Sequence, residues 1–286
     1  MNAVHNENAK NLLNDMWRLF QFTKSTSNPE HPFSKFGTGN LETLKTTPTQ
    51  EGVDTRQGLL DFHGRYYSAN VSKLVVLGRE SLDELQALVE AKFEGYVNQD
   101  VSVPVFGTDA LGPGLGKVYR VVPVKELRSM TILWALPCAQ HAYRTKPERV
   151  LSHLIGHEGE GSILQLLKSK GCSSAHNLTI TSPLDYPSRP DHTSANDPFR
   201  WANGLSAGLT YSTTCFAGFT CSVDLTEEGL QHTDAIVAVV YQYLRVLGEV
   251  STSFNAFSAF AVIDLPARIS CSYRTRSRQH VEPCRL

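Results

Sequence analysis

One stretch constrains the fold of this chain more than any other. In "PVFGTDALGPGLG", residues 104–116, glycine and proline recur at short intervals. Glycine lets the backbone bend and proline removes an amide donor, so no long helix or central strand crosses such a segment. The stretch reads as a linker, with an ordered body on either side. The chain has 286 residues, 41% hydrophobic and 19% charged, enough apolar material for two cores.

Before the linker, Leu12, Leu13, Met16, Leu19 and Phe20 recur at helical spacing and predict a helix from Asn2 to Phe22. "SNPEHPFSKFGTGN" breaks it. A second helix is expected from Val53 to Tyr67, with Leu59, Leu60, His63 and Tyr67 on one stripe. "KLVVLG", Lys73 to Gly78, reads as a short buried strand. Ser81 and Glu84 form a capping box, each satisfying a free N–H at a helix start. That helix should turn Leu85, Leu88, Val89 and Phe93 inward. The sum is an α+β unit.

After the linker, strands are expected at Lys117–Val124 and Met130–Leu136, then helices from Lys146 toward His157 and from Ser162 to Lys170. Residues 172–200 are rich in proline and small polar groups, have no period, and read as an insertion. "FAGFTCSVDL" is a strand. Thr226 should cap the following helix, with Glu227 and Glu228 in its positive first turn. Val237, Val240, Tyr241, Leu244 and Leu247 form its buried face. Residues 251–286, rich in Ser and Arg, read as a tail that does not fold.

The net charge of -1 gives no reason to expect nucleic acid or an anionic membrane as partner. No apolar run approaches a bilayer-spanning length, and the polar start "MNAVHNENAK" is no signal peptide. A cytoplasmic protein is expected. Its six cysteines form no CxxC pair, which argues for free thiols rather than a thiolate metal site.

"HLIGHEGEG" places His153 and His157 four residues apart, so both could reach one metal from one helix face. Glu158 lies about 100° further round and is poorly placed to join them. Helical zinc motifs put the glutamate between the histidines, where it activates the bound water. Here Leu154, Ile155 and Gly156 stand there instead. A structural or substrate-contact role fits better. "GLGK" lacks the full phosphate-loop spacing and precedes a strand. "GFTCS" is not G-x-S-x-G. Glu7, taken alone, is a solvated surface acid.

Several long segments occur in an order that carries a family resemblance: the first helix, "NPEHPFSKFGTGNLETL", "FHGRYYSANVSKLVVLGRESLDEL", "HLIGHEGEGSILQLLKSKG", "WANGLSAG" and "VDLTEEGLQH". Together they resemble the insulin-degrading enzyme (insulysin) family, the inverted-motif zinc peptidases. The likeness covers neither 172–200 nor the tail. It implies an α+β fold: the C-terminal part of a first peptidase domain in 1–103, then a second, sheet-and-helix domain in 117–250.

The family cleaves peptides with a zinc held by two histidines of H-x-x-E-H and a distal glutamate. Glu7 matches that glutamate, so the resemblance implies a metal role for it. No H-x-x-E-H occurs in these residues. Zinc is thus expected in the complete family member and not in this chain alone. Trp17 and Phe20 match positions near the family's catalytic cleft. His153, Gly156 and Glu158 match a second-domain surface that anchors the substrate N-terminus. Leu205, Ser206 and Ala207 match a strand beside it that pairs with substrate backbone. Peptide substrates are the implied partners, with homo- or hetero-oligomers of homologues also in view. Two readings follow: a portion of a zinc metalloendopeptidase, inactive alone, or a non-catalytic peptide-binding homologue or partner subunit.

Overall fold

In a computed structural model, residues 1–170, 200–251 and 267–272 are described. Eight α-helices occur among them: α1 Asn2–Asn11, α2 Asp15–Ser25, α3 Thr47–Gln50, α4 Thr55–Tyr66, α5 Leu82–Phe93, α6 Pro147–Ile155, α7 Ile163–Ser169 and α8 Thr233–Ser251. The strands are β1 Val118–Val121, β2 Ser129–Pro137, β3 Ala202–Ser212, β4 Phe216–Leu225 and β5 Ala267–Ser272. Two compact units result. One comprises Met1–Leu13 and Phe36–Phe106; the other takes Asn14–Lys35 and the described residues from Gly107 on.

The helix expected from Asn2 to Phe22 is two helices. Asn14 adopts an extended backbone and its side chain accepts a hydrogen bond from Met16 N, which starts α2 afresh. α1 belongs to the first unit and α2 to the second.

In the first unit, Asp54 caps α4 by accepting from the amides of Arg56 and Gln57. Ser81 and Glu84 make the reciprocal capping box at the start of α5. "KLVVLG" is not a strand and is not buried. Val75 is 91% and Leu77 98% exposed. A strand exists only through a hydrogen-bonded partner, and every strand among the described residues lies in the other unit. On α5 only Leu85 and Val89 of the expected inward face are partly buried. Leu88 and Phe93 on α5, and Leu59, Leu60 and Tyr67 in and after α4, stay exposed.

The second unit holds a five-stranded sheet in the order β1-β5-β2-β4-β3. β1 runs parallel to β5, and the remaining neighbours are antiparallel. One cluster joins Ile132 and Trp134 of β2, Phe219 and Val223 of β4, Leu151 and Ile155 of α6, and Val240 and Leu244 of α8. Trp134 is fully buried, and its Nε1 donates to Tyr241 Oη at 3.2 Å. A smaller cluster joins Leu133 and Phe216 to Ala110 and Leu111, an apolar anchor inside the glycine-rich stretch expected to be a linker.

Two further expectations change. Thr226 does cap, accepting from Gly229 N at 2.9 Å, but what it opens is a 3-10 turn, Gly229–His232, ahead of α8. The expected unfolded tail contributes β5, inserted between β1 and β2. Its Arg268 is 2% exposed. The guanidinium lies 4.7 Å from the Phe22 ring and 4.4 Å from that of Tyr119, and Nη1 donates to Thr23 O at 3.3 Å. Aromatic faces offset much of the cost of burying this cation. Its Nε and Nη2 have no hydrogen-bond partner. A six-residue strand held by such non-local contacts leaves no periodic trace in sequence.

No helix among the described residues is long and apolar enough to cross a membrane. The expected insertion, 172–200, lies outside the described residues but for Arg200.

Candidate functional site

β3 is the outermost strand of the sheet among the described residues, and none of them puts a strand beside its other edge. The amide groups of a strand point alternately to its two sides. Leu225 N donates to Arg128 O at 2.9 Å, which directs Leu225 toward the β2 side of β4. Asp224, Ser222 and Thr220 then face β3, where they pair with Gly204, Ser206 and Gly208. The residues between, Leu205, Ala207 and Leu209, turn their N–H and C=O groups to the open side. Ala207 supplies the direct sign, because its carbonyl accepts a hydrogen bond from Ser152 Oγ of α6.

The last turn of α6 runs beside that edge. Leu151 and Ile155 pin the helix to the core, and Ser152 and Gly156, one turn apart, face β3. A Cβ on Gly156 would stand 2.9 Å from Ser152 O and 3.6 Å from Ala207 N. Glycine there brings the helix end against the strand with no side chain over the Ala207 amide. His153 and His157 are exposed, with ring centroids 5.9 Å apart. Glu158 is exposed on the turn that follows. Leu205 is buried, Ser206 exposed and Ala207 half-buried. The structure therefore brings together Gly156 and Ala207, with His153 and Glu158 on the same short stretch of chain.

Trp17 and Phe20 lie on α2, with centroids 6.0 Å apart and nearly perpendicular. Phe20 joins a group that sequence reading missed. Tyr211 of β3 lies 6.1 Å from it and 5.3 Å from Phe33. Lys24 Nζ sits 4.6 Å from the Phe33 ring centroid and 5.5 Å from that of Phe20. Burial lowers the Lys24 pKa. Burial raises that of Tyr211, against a hydrogen bond with Thr23 and the charge of Arg268. Phe20 and Lys24 lie one turn apart on α2, but Tyr211 joins them from β3, and no local spacing announces that contact.

Glu7 is exposed on α1, in the first unit. A catalytic zinc needs three protein ligands. Among the described residues, no group of three His, Cys, Asp or Glu side chains is gathered to hold a metal. One exposed carboxylate does not fit that requirement.

A family profile described as the Peptidase M16 inactive domain matches residues 55–185. Insulin-degrading enzymes from Bos taurus and Homo sapiens are each 43% identical over 248 residues, 86% of this chain and 22% of theirs. The A-factor-processing enzyme of Saccharomyces cerevisiae is 39% identical over the same length, 21% of its own. Among solved structures, pitrilysin superposes with a TM-score of 0.74 at 22% identity, over 95% of this chain and 32% of that one. A peptidase M16 inactive domain from Pseudomonas fluorescens gives 0.58 at 12% identity, over 98% and 70%.

The mixed helix-and-sheet architecture is thus that of the pitrilysin-type M16 peptidases. Within that class, the chain belongs to the insulin-degrading enzyme family, as a partial copy spanning about a fifth of its curated relatives' length.

Proposed function

We propose that this chain is the peptide-anchoring portion of an insulysin-like zinc metalloendopeptidase and is inactive alone. The observation that carries the reading is the outer edge of β3, which has no strand beside it among the described residues and where Ala207 faces outward beside Gly156. An edge of this kind pairs with the backbone of a peptide of any sequence. Glu158, exposed two residues after Gly156, offers a carboxylate to a peptide's N-terminal ammonium. His153 flanks the same surface. Trp17 and Phe20 present aromatic area to a bound side chain.

Residues 1–103 are read as the end of a first peptidase domain and 117–250 as a second. In the complete protein, zinc would supply an activated water for attack on the peptide carbonyl, with Glu7 as one ligand. A cytoplasmic setting, peptide partners and oligomers with homologues complete the proposal.

The test combines two measurements on the full chain. Zinc content should be well below one per chain, and a fluorogenic peptide should not be cleaved. A peptide with a free N-terminus should bind, its N-acetylated twin should bind more weakly, and Glu158→Gln should remove the difference. Stoichiometric zinc with chelator-sensitive turnover would overturn the inactive-alone reading. Equal binding of the two peptides would overturn the anchoring role of Glu158.

A further inference from the structure

α6 treats the two outward groups of Ala207 differently. The N–H faces Gly156, which has no side chain to cover it. The carbonyl is already held by Ser152 Oγ, across 55 residues of sequence. A Cβ on the neighbouring Gly208 would stand 3.4 Å from that same hydroxyl oxygen, so Ser152 sits close against the strand backbone at this point. A peptide adding to β3 needs both groups, one as donor and one as acceptor. It meets the donor against the bare backbone of Gly156 and the acceptor already engaged.

We propose that Ser152 is the specificity-determining residue of the β3 edge, its hydroxyl competing with an incoming peptide N–H for the Ala207 carbonyl. The inference rests on the peptide-anchoring reading of that edge. Where the hydroxyl stays, the edge selects peptides that place a carbonyl against Ala207 N–H and need no donor bond at the next rung. Where it is removed, the full pair of backbone bonds becomes available and selection relaxes. Ser152 contributes no charge and no contact area of note, so its effect is on which backbone registers bind, not on which side chains.

The test uses the full chain and a C-terminally fluorescein-labelled Val-Thr alternating decapeptide with a free N-terminus, followed by anisotropy. Ser152→Ala should tighten binding about fivefold, the size of one neutral hydrogen bond regained. Ser152→Thr keeps the hydroxyl and should keep the wild-type affinity. Peptides N-methylated at alternate residues report the missing donor. The set that blocks pairing weakens both proteins at the Leu205 and Leu209 rungs, and should cost the alanine variant about fivefold more than wild type, cancelling its gain. Should the alanine variant fail to fold in urea titration, Ser152→Cys, a weaker donor of similar size, should still tighten binding. If the carbonyl's second lone pair serves the peptide, affinity will not change on removing the hydroxyl; equal or weaker binding overturns the proposal and leaves edge addition standing. If the unmethylated peptide binds neither wild type nor variants, edge addition itself falls, and this proposal with it.

Discussion

The carboxylate of Asp15 accepts hydrogen bonds from the amides of Val124 and Lys125, at 2.8 and 2.9 Å. One side chain at the start of α2 thus satisfies two backbone donors just beyond β1. Asp15 also stands 3.5 Å from Arg18 Nη1. Hydrogen bonds to a charged group contribute about 1.5–3 kcal/mol each. With two such bonds, one of them exposed, Asp15→Ala should lower stability by about 3 kcal/mol, the low end of their sum, and Asp15→Asn, which keeps one acceptor, by about half as much. Urea midpoints followed by far-UV circular dichroism give the comparison; a change under about 0.5 kcal/mol for the alanine variant would count against the latch.

Trp134 and Tyr241 tie the sheet to α8 through a hydrogen bond in the core. Tyr241→Phe keeps the ring and leaves the buried indole N–H without its partner. The expected cost is about 1–2 kcal/mol. Trp134 is fully buried, so its fluorescence should remain blue-shifted in the folded variant while the thermal midpoint falls. An unchanged midpoint would show that the bond contributes nothing net.

Gly229 has no room for a side chain. A Cβ there would stand 1.9 Å from Trp201 O, a backbone atom. Gly229→Ala must displace either the 3-10 turn or the start of β3, at a cost of about 1–3 kcal/mol. Gly58 has open space around the same position, and Gly58→Ala, on α4, should be neutral or stabilising by up to about 1 kcal/mol. Wild-type stability in the Gly229 variant would refute the clash.

Cys221 is fully buried in β4, and burial pushes its thiol up from 9.0 to about 12. Below pH 9 both folded and unfolded states keep the proton, and the group makes no pH-dependent difference. Between pH 9 and 12 the unfolded thiol ionises first, so stability falls as pH rises. Iodoacetamide at pH 8 should modify the half-buried Cys138 and Cys215 in the native protein and spare Cys221 until urea is added. Rapid native labelling of Cys221, mapped by mass spectrometry, would contradict this.

Local chemistry made much of the fold readable. Ser81 and Glu84 announce α5 because both halves of the capping box lie within four residues. "FAGFTCSVDL" coincides with β4, and Val240 and Leu244 lie where their spacing puts them, in the core. What failed depended on partners far away in sequence. "KLVVLG" is as apolar as a strand and finds nothing to pair with among the described residues. β5 owes its place to Arg268 and to two neighbouring strands, neither visible in six residues. At the candidate site, the stretch from His153 to Glu158 stood out by composition. Ser152 did not, because a serine acquires its role only once β3 lies beside it.

The place of β5 also sets an order of assembly. β2, β4 and β3 pair antiparallel and can form their ladder as soon as residue 225 is made. β1 cannot: its ladder partner among the described residues is β5, which begins at Ala267. During synthesis, the earliest strand of the sheet thus waits for the latest, with well over a hundred residues emerging between them. Until then β2 keeps one bare side, a template for a wrong neighbour. The last described strand thus carries the continuity of the sheet: a chain stopped before Ala267 has nothing to join β1 to β2.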